Sequence, residues 1–547
     1  MKVALAQLNY IIGDFEGNAA KIIGSIEKAK NAGADLVIFS ELSVTGYYPH
    51  DLLEKKEFIH KAEETVKKIA ASCRGIAAVV GAPRINKNER GKTLFNSAFF
   101  LTDGKIHSAH NKTLLPTYDI FDEYRHFEPN RDFGVVEYKG KRIAITICED
   151  LWDEQPTANE FGKNKLYQVS PMEELAKFQP DFVVNISASP FSYNQKNWRK
   201  DVLATKAQKY KLPIFYVNQT GAQTELIFDG GSVFIDEQGE TVKEMKYFEE
   251  DFLVLDTRNI GEKSLQRETD HIEKIHDALV LGIRDYFRKM GFRQATLGLS
   301  GGIDSAITAA LAVQALGAEN VRGLLMPSKY SSDHSVEDAR QLAENLGIRS
   351  DIIKIHNVVD AFEKELAPLF NGTPPGIAEE NIQARARGIY LMALSNKFGH
   401  ILLNTTNKSE CAVGYGTLYG DMNGGLAVLG DVYKSDVFSM ARFINRNREI
   451  IPENTIIKPP SAELRPDQKD TDSLPDYAIL DEILFSFIEQ NLSPREIAAK
   501  GFDPQMVEKV IRMVNTNEYK RFQAAPILRV SSKAFGFGRK MPLVARY

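Results

Sequence analysis

Short apolar runs and amphipathic stretches alternate along most of the chain. Val3–Leu8, Leu36–Phe39, Ala77–Val80, Ile143–Ile147, Phe182–Ile186 and Ile214–Val217 are brief and apolar, and they read as buried strands. Asn18–Ala32, Leu52–Ala71 and Asn197–Tyr210 carry helical spacing between some of them. Phe95–Leu101 and Ile106–His110, joined through Asp103-Gly104, predict a hairpin. This is a layered α/β pattern with added antiparallel pairs. The charged stretch Thr257 to Glu268 lacks periodicity and reads as a linker. A long amphipathic helix is predicted from Asp270 to Met290. A second series follows, with strands at 296–299, 321–326, 351–355 and 400–403 and helices between them. That order predicts a doubly wound parallel sheet with its ligand crevice at the carboxyl ends of the strands. Lys458 to Pro475 is rich in Pro, Asp and Ser and reads as a mobile loop. The expected division is residues 1–258, a linker 259–268, and residues 269–547.

Composition narrows the picture. A chain of 547 residues exceeds one core, and 43% hydrophobic with 26% charged residues is ordinary for globular protein. A net charge of −5 supplies no basic field for nucleic acid. Three cysteines give no disulfide framework, so a reducing, cytoplasmic setting is expected. Ala306 to Ala318 is interrupted by polar residues and is too short to span a membrane. Met1 to Ala6 reads as a first strand, its apolar run being too short for a signal peptide.

The most specific string is Ser300-Gly301-Gly302-Ile303-Asp304-Ser305, between the apolar run Ala295–Leu299 and an amphipathic stretch. A strand, a Gly-Gly turn and a helix start aim backbone N–H groups and a positive helix end at one spot, which suits a phosphate. The serine hydroxyls add donors, and Asp304 can hold a Mg²⁺ that bridges phosphates. No Gly-Lys-Ser/Thr follows, so this is not a Walker A loop. The string resembles the pyrophosphatase loop of the N-type ATP pyrophosphatases, which cleave ATP between its α- and β-phosphates and adenylylate a carboxylate or carbonyl. It implies an ATP site over Gly298, Leu299, Ser300, Gly301, Gly302, Ile303, Asp304 and Ser305.

In the first half, Glu41 follows Leu36 to Ser40, Lys112 lies in Lys112-Thr113-Leu114-Leu115-Pro116, and Cys148 lies in Ile147-Cys148-Glu149-Asp150. Each ends a strand or starts a loop, where adjacent strands of an α/β fold converge. Singly, each has a plain reading: a buried hydrophobe for the cysteine, solvated charges for the others. Together they form a set for amide cleavage. A lysine lowers the thiol pKa and binds the oxyanion, and a glutamate takes the thiol proton and then activates water. The three segments resemble the nitrilase superfamily over roughly residues 1–258, which implies an α-β-β-α sandwich. Within it, the segment Leu115 to Glu123 is similar to the glutaminase branch. That resemblance implies that Tyr118 touches glutamine, that Glu123 is a second carboxylate near the lysine, and that Ser187, Ser189 and Lys196 line the glutamine pocket. Glu149 is a candidate for the substrate amine, its alternative role being to orient the loop after Cys148.

In the second half, Asn381-Ile382-Gln383-Ala384-Arg385-Ala386-Arg387 opens a helix. Arginines at i and i+2 face different ways, so both cannot serve one phosphate. Thr405 and Glu410 follow a strand, then Tyr419-Gly420-Asp421, then Lys434. Thr405 suits an ATP hydroxyl or phosphate, Glu410 a second Mg²⁺ site opposite Asp304, and Lys434 the β/γ-phosphates. Met326-Pro327-Ser328 is either a nucleotide contact or a strand end closed by proline. This order resembles the ammonia-using NAD synthetases over about residues 268–547, a domain of the adenine nucleotide α-hydrolase type. With the nitrilase half, the whole chain resembles the glutamine-dependent NAD⁺ synthetases, which are ligases. The resemblance implies deamido-NAD⁺ contacts from Asn381, Arg385, Glu410 and Lys533, and an ATP contact from Ser461. It implies glutamine, ATP and deamido-NAD⁺ as substrates, Mg²⁺ as cofactor and a homo-oligomer. Ammonia made in one half is expected to travel to the other by an internal tunnel, since free ammonia protonates. Leu418 and Asn423-Gly424-Gly425 depart from the short ammonia-only enzymes. The alternatives are an amidotransferase for another carboxylate, a tRNA-modifying enzyme and a silent scaffold. The second lacks a basic patch, and joint retention of Glu41, Lys112, Cys148, Asp304 and Glu410 argues against the third.

Overall fold

In a computed structural model of the chain, residues 1–154, 166–193, 196–466 and 468–545 are described. They form two compact units, Met1–Glu268 and Thr269–Tyr547.

The first unit holds two six-stranded sheets. In one, Lys2–Gln7 pairs parallel with Leu36–Ile38, which pairs parallel with Ala77–Ile85. The hairpin Leu94–Thr102 and Lys105–Asn111 extends that edge. In the other, Lys141–Ile147, Phe182–Ser187 and Ile214–Asn218 run parallel. The apolar runs are nearly continuous because both faces of each sheet are covered. Val3, Leu5, Leu36, Ile38, Val79 and Phe100 meet Ile143, Ile145, Val184 and Phe215 between the sheets. Their alternates Ala4, Ala6, Val37, Ala78 and Val80 pack on Ile22, Ile26, Val66 and Ile69 of the helices Phe15–Asn31 and Lys56–Ser72. Leu203 and Ala207 of the helix Lys196–Tyr210 cover the outer face of the second sheet. Each fully buried large apolar side chain contributes roughly 1.5–3 kcal/mol. The layers are therefore helix, sheet, sheet, helix, as expected.

The periodicity misses several strands here. Val136–Tyr138, Val233–Ile235 and Thr241–Glu244 have three or four residues each, too few to show a period. Asp251–Asp256 pairs antiparallel with Lys2–Gln7 and is mostly half-buried, so no alternation marks it.

The second unit opens with the helix His271–Met290. Asp270 caps its start, and Gly291 ends it at φ +78°. Its sheet is parallel throughout, and strands of chain order 3-2-1-4-5 lie side by side. Ala295–Gly298 sits between Val321–Leu325 and Ile401–Asn404, where the strand order reverses. Such a reversal opens a crevice at the carboxyl ends of those strands. Arg349–Ile352 falls earlier than expected because this edge strand is largely exposed and has no core face to mark its span. The two-residue strand Leu426–Ala427 escapes the sequence pattern altogether.

Candidate active sites

In the first unit, the strand Lys141–Ile147 ends in a tight turn at Cys148, whose φ is +43°. That left-handed conformation costs about 1–3 kcal/mol outside glycine. Asp150 offsets it. Its Oδ2 accepts from Ile147 N at 3.0 Å, and its Oδ1 accepts from Thr113 N and Leu114 N, both at 2.9 Å. One buried carboxylate thus ties the turn of Cys148 to the segment of Lys112.

Lys112 is fully buried and donates to Glu41 Oε1 and Glu123 Oε1, each at 2.8 Å. Glu41 also accepts from Asn96 Nδ2 at 2.7 Å and Ala188 N at 3.0 Å, and Tyr47 OH donates to Glu123 at 2.7 Å. Burial pushes Glu123 up to about 7 even though Lys112 pulls it down. Burial alone would lower Lys112, but Glu123 and Glu41 outweigh it and hold the ammonium charged. The Cys148 thiol is held well above its ordinary range, by burial first and by Glu41 second, with Lys112 opposing. Lys112 thus acts on the thiol in the expected direction, but burial and Glu41 outweigh it.

Around this centre, Tyr118 OH and Tyr167 OH each donate to Glu149 Oε1 at 2.9 Å. Ser187 Oγ donates to Asn185 Oδ1 at 2.7 Å, and Asn185 Nδ2 reaches Cys148 O at 3.4 Å. Ser189 N donates to Asn218 Oδ1 at 2.9 Å. The side chain of Lys196 lies outside the described residues.

In the second unit, the crevice holds a cavity of about 310 Å³. Gly298, Leu299, Ser300, Gly302, Ile303, Asp304 and Ser305 line it at the start of the helix Ile303–Leu316. Ser300 Oγ accepts from Gly302 N at 3.1 Å, and Ser305 Oγ donates to Gly302 O at 2.9 Å. Gly301 has φ +78°, and a Cβ there would lie 2.2 Å from Ser335 O, so only glycine lets the loop rest on the next helix.

Lys434 Nζ lies 2.5 Å from Asp304 Oδ2 and 3.5 Å from Glu410 Oε1. Asn407 Nδ2 donates to Asp304 Oδ1 at 2.9 Å, and Glu410 N donates back to Asn407 Oδ1. Burial and the Asp304 charge push Glu410 up to about 8 despite Lys434. Glu463 accepts from Ser332 Oγ and Ser335 Oγ at 2.8 Å each, which ties the cavity-lining segment that includes Ser461 to the start of the helix Asp333–Leu346.

The comparisons with known proteins follow this division. Residues 2–259 match the family described as carbon-nitrogen hydrolase, and residues 275–524 match NAD synthase. The glutamine-dependent NAD(+) synthetase of Synechocystis sp. is 46% identical across 100% of this chain and 99% of its own length. The chain belongs to the glutamine-dependent NAD(+) synthetase family. The Thermotoga maritima synthetase is 42% identical over 100% of this chain and 99% of its own length. The solved Acinetobacter baumannii synthetase, in complex with adenosine diphosphate, is 40% identical at a TM-score of 0.77, covering 99% of this chain and 98% of its own.

Of the expected dinucleotide contacts, Asn381, Arg385 and Lys533 are not among the residues lining the cavity, whereas Glu410 is. Asn381 Oδ1 accepts from Thr417 Oγ1 at 2.8 Å, and Arg385, exposed, donates to Leu418 O at 3.2 Å. Both hold the loop whose Asp421 and Asn423 line the crevice. Arg387, which lines the cavity, bonds Met326 O at 3.1 Å. Lys533 N donates to Ser531 Oγ at 3.3 Å, and its carbonyl accepts from the buried Lys408 at 3.0 Å. Thr405, Glu410 and Lys434 line the cavity. Sequence reasoning missed Asp150, Asn96, Tyr47, Tyr167 and Asp470, and also Asn404, which lines the cavity and donates from Nδ2 to Asp421 O at 2.8 Å. Asp150 stood in the quoted nucleophile string, but only folding brings Thr113 and Leu114 to it. Asp470, which accepts from Tyr415 OH and Tyr477 OH, sits in the Pro/Asp/Ser-rich segment that carries no periodic signal.

Proposed function

We propose that Cys148 of the first unit hydrolyses glutamine and that the second unit uses the ammonia to amidate deamido-NAD⁺. The observation that carries this reading is the buried ammonium of Lys112 shared by Glu41 and Glu123 beside Cys148. Cys148 Sγ attacks the γ-carboxamide carbon while Glu41 takes the thiol proton, since the neutral thiol is favoured at rest. The oxyanion gathers charge against Lys112, a fixed cation in a dry site. Collapse breaks the C–N bond, Glu41 returns the proton to the departing ammonia, and a thioester remains. Glu41 then deprotonates water, which attacks the thioester and frees glutamate and the thiol. Tyr118 and Tyr167 orient Glu149 toward the substrate ammonium. This chemistry requires a free thiol and so a reducing compartment.

In the second unit, the nicotinate carboxylate attacks the α-phosphorus of ATP and pyrophosphate leaves. Ammonia then attacks the acyl adenylate, AMP leaves, and the new amide nitrogen gives up its excess proton. Ser300, Ser305 and the N–H groups opening the helix Ile303–Leu316 hold the phosphates. Lys434 neutralises the departing pyrophosphate as a point charge. Asp304 and Glu410 set two carboxylates side by side at one lysine, an oxygen donor set that fits a hard divalent cation. Mg²⁺ bound there would neutralise phosphate charge. The test is NAD⁺ and AMP formation from deamido-NAD⁺, ATP and Mg²⁺, run with glutamine and separately with ammonium. One AMP per NAD⁺ with either donor supports the reading; no product with either overturns the acid substrate.

A further inference from the structure

Beside the Glu123 segment of the first centre, Asp51 and Glu54 lie on the 3₁₀ helix His50–Glu54. Residues three apart eclipse one another in a 3₁₀ helix, so the two carboxylates share a face. His126 comes to that face from another segment. Among the described residues these are the one group of three metal-capable side chains whose ligand atoms all lie within 4.8 Å of one another.

The carboxylates are exposed, 64% and 56%, whereas the His126 side chain is only 6% exposed. Its Nε2 makes no hydrogen bond. It lies 3.6 Å from Asp51 Oδ1 and 3.7 Å from Glu54 Oε1, too far for hydrogen bonds. Two ligands on one tetrahedral zinc, each about 2.1 Å from the ion, stand about 3.4 Å apart. The other ring nitrogen is already committed. His126 Nδ1 and Tyr48 OH are 2.7 Å apart, and Tyr48 OH reaches Asp122 O at 3.5 Å. With the hydroxyl proton directed at that carbonyl, Nδ1–H donates to Tyr48 and Nε2 keeps its lone pair. A metal-ligating histidine is oriented by this kind of outer hydrogen bond.

We propose that Asp51, Glu54 and His126 bind one zinc-type divalent cation, with a remaining position left to water. Arg125, itself half-exposed, lies 3.0 Å from Asp51 and 3.8 Å from Glu54 and competes for the same carboxylates. The cation pins the helix His50–Glu54 to the segment that carries Glu123, because His126 N donates to Glu123 O at 3.1 Å. The site therefore braces the carboxylate that holds Lys112.

The test is calorimetric titration of the full chain with Zn²⁺, with excess Mg²⁺ present to fill oxygen-only sites. The chain carries Cys148→Ala so that the thiol is no ligand. Co²⁺ serves as a spectroscopic probe of nitrogen ligation. One Zn²⁺ per chain is expected, weakened at least about tenfold in Asp51→Asn/Glu54→Gln, whose exposed positions spare the fold. Arg125→Ala should bind more tightly, since it removes the competitor. Equal binding by the parent and the double variant, or no ligand-field band with Co²⁺, overturns the site and leaves a surface ion pair.

Discussion

Each unit places one lysine between two carboxylates, and the two arrangements behave differently. Lys112 sits 2.8 Å from both Glu41 and Glu123, and all three side chains are at most 1% exposed. Lys434 sits 2.5 Å from Asp304 and 3.5 Å from Glu410, whose side chains are 18% and 16% exposed. The first is closed and symmetric, with every group held in place before substrate arrives. The second is lopsided and opens on a cavity, so its ions can exchange partners when phosphates enter. In both, one lysine faces two carboxylates, fully buried in the first unit and partly buried in the second, and one of each pair is pushed up, Glu123 to about 7 and Glu410 to about 8. A shared motif thus serves as a preassembled electrostatic site in one unit and as an adaptable one in the other.

The sharpest way to separate the units is by donor. Cys148→Ala should reduce glutamine-dependent NAD⁺ formation to background and spare the ammonium-dependent rate, whereas Asp304→Ala should abolish both. A surviving glutaminase in Cys148→Ala would break the comparison at its root. Next in size, Lys112→Met should lower glutamine-dependent kcat about 10²–10³-fold, with the ammonium rate unchanged. Lys434→Met should lower both rates in proportion; parallel assays with each donor read the difference.

Asp150→Asn should cost about 10²-fold in glutaminase kcat with little change in KM. The amide presents N–H to donors that need an acceptor, so the turn of Cys148 and the segment of Lys112 lose their common tie. An unchanged kcat would reduce Asp150 to a passive part of the core.

The smallest effect is on stability. Glu123 ordinarily titrates near 4.5 and is raised to about 7 in the fold. The folded state keeps a proton that the unfolded chain releases, so this contribution is present below 4.5 and is lost as pH rises through 7. Thermal unfolding between pH 5 and pH 8 should therefore depend less on pH in Glu123→Gln than in the parent.

The same comparison separates what the sequence reveals from what it hides. Glu41, Lys112, Cys148 and the loop from Ser300 to Ser305 sit at strand ends, where an apolar run stops at a chemically specific residue, and that is visible in one dimension. The supports are not. Asp150 works through backbone N–H groups more than thirty positions away, and Asn96 reaches Glu41 across 55 positions. The arginine pair shows a different limit. Helix geometry separates Arg385 from Arg387, yet which of the two faces the cavity depends on how the helix Ile377–Phe398 packs on the sheet. Half-buried edge strands such as Arg349–Ile352 and Asp251–Asp256 blur for want of a one-sided core.

The pairing of Lys2–Gln7 with Asp251–Asp256 also sets a schedule for synthesis. At about 5–20 residues per second, the partner strand leaves the ribosome roughly 12–50 s after the first. Through that interval the first strand has one unpaired edge, a row of open N–H and C=O groups that invites association with other nascent chains. Closure of the first sheet thus comes at the end of that unit's own synthesis, and the final strand of the first unit acts as its clasp.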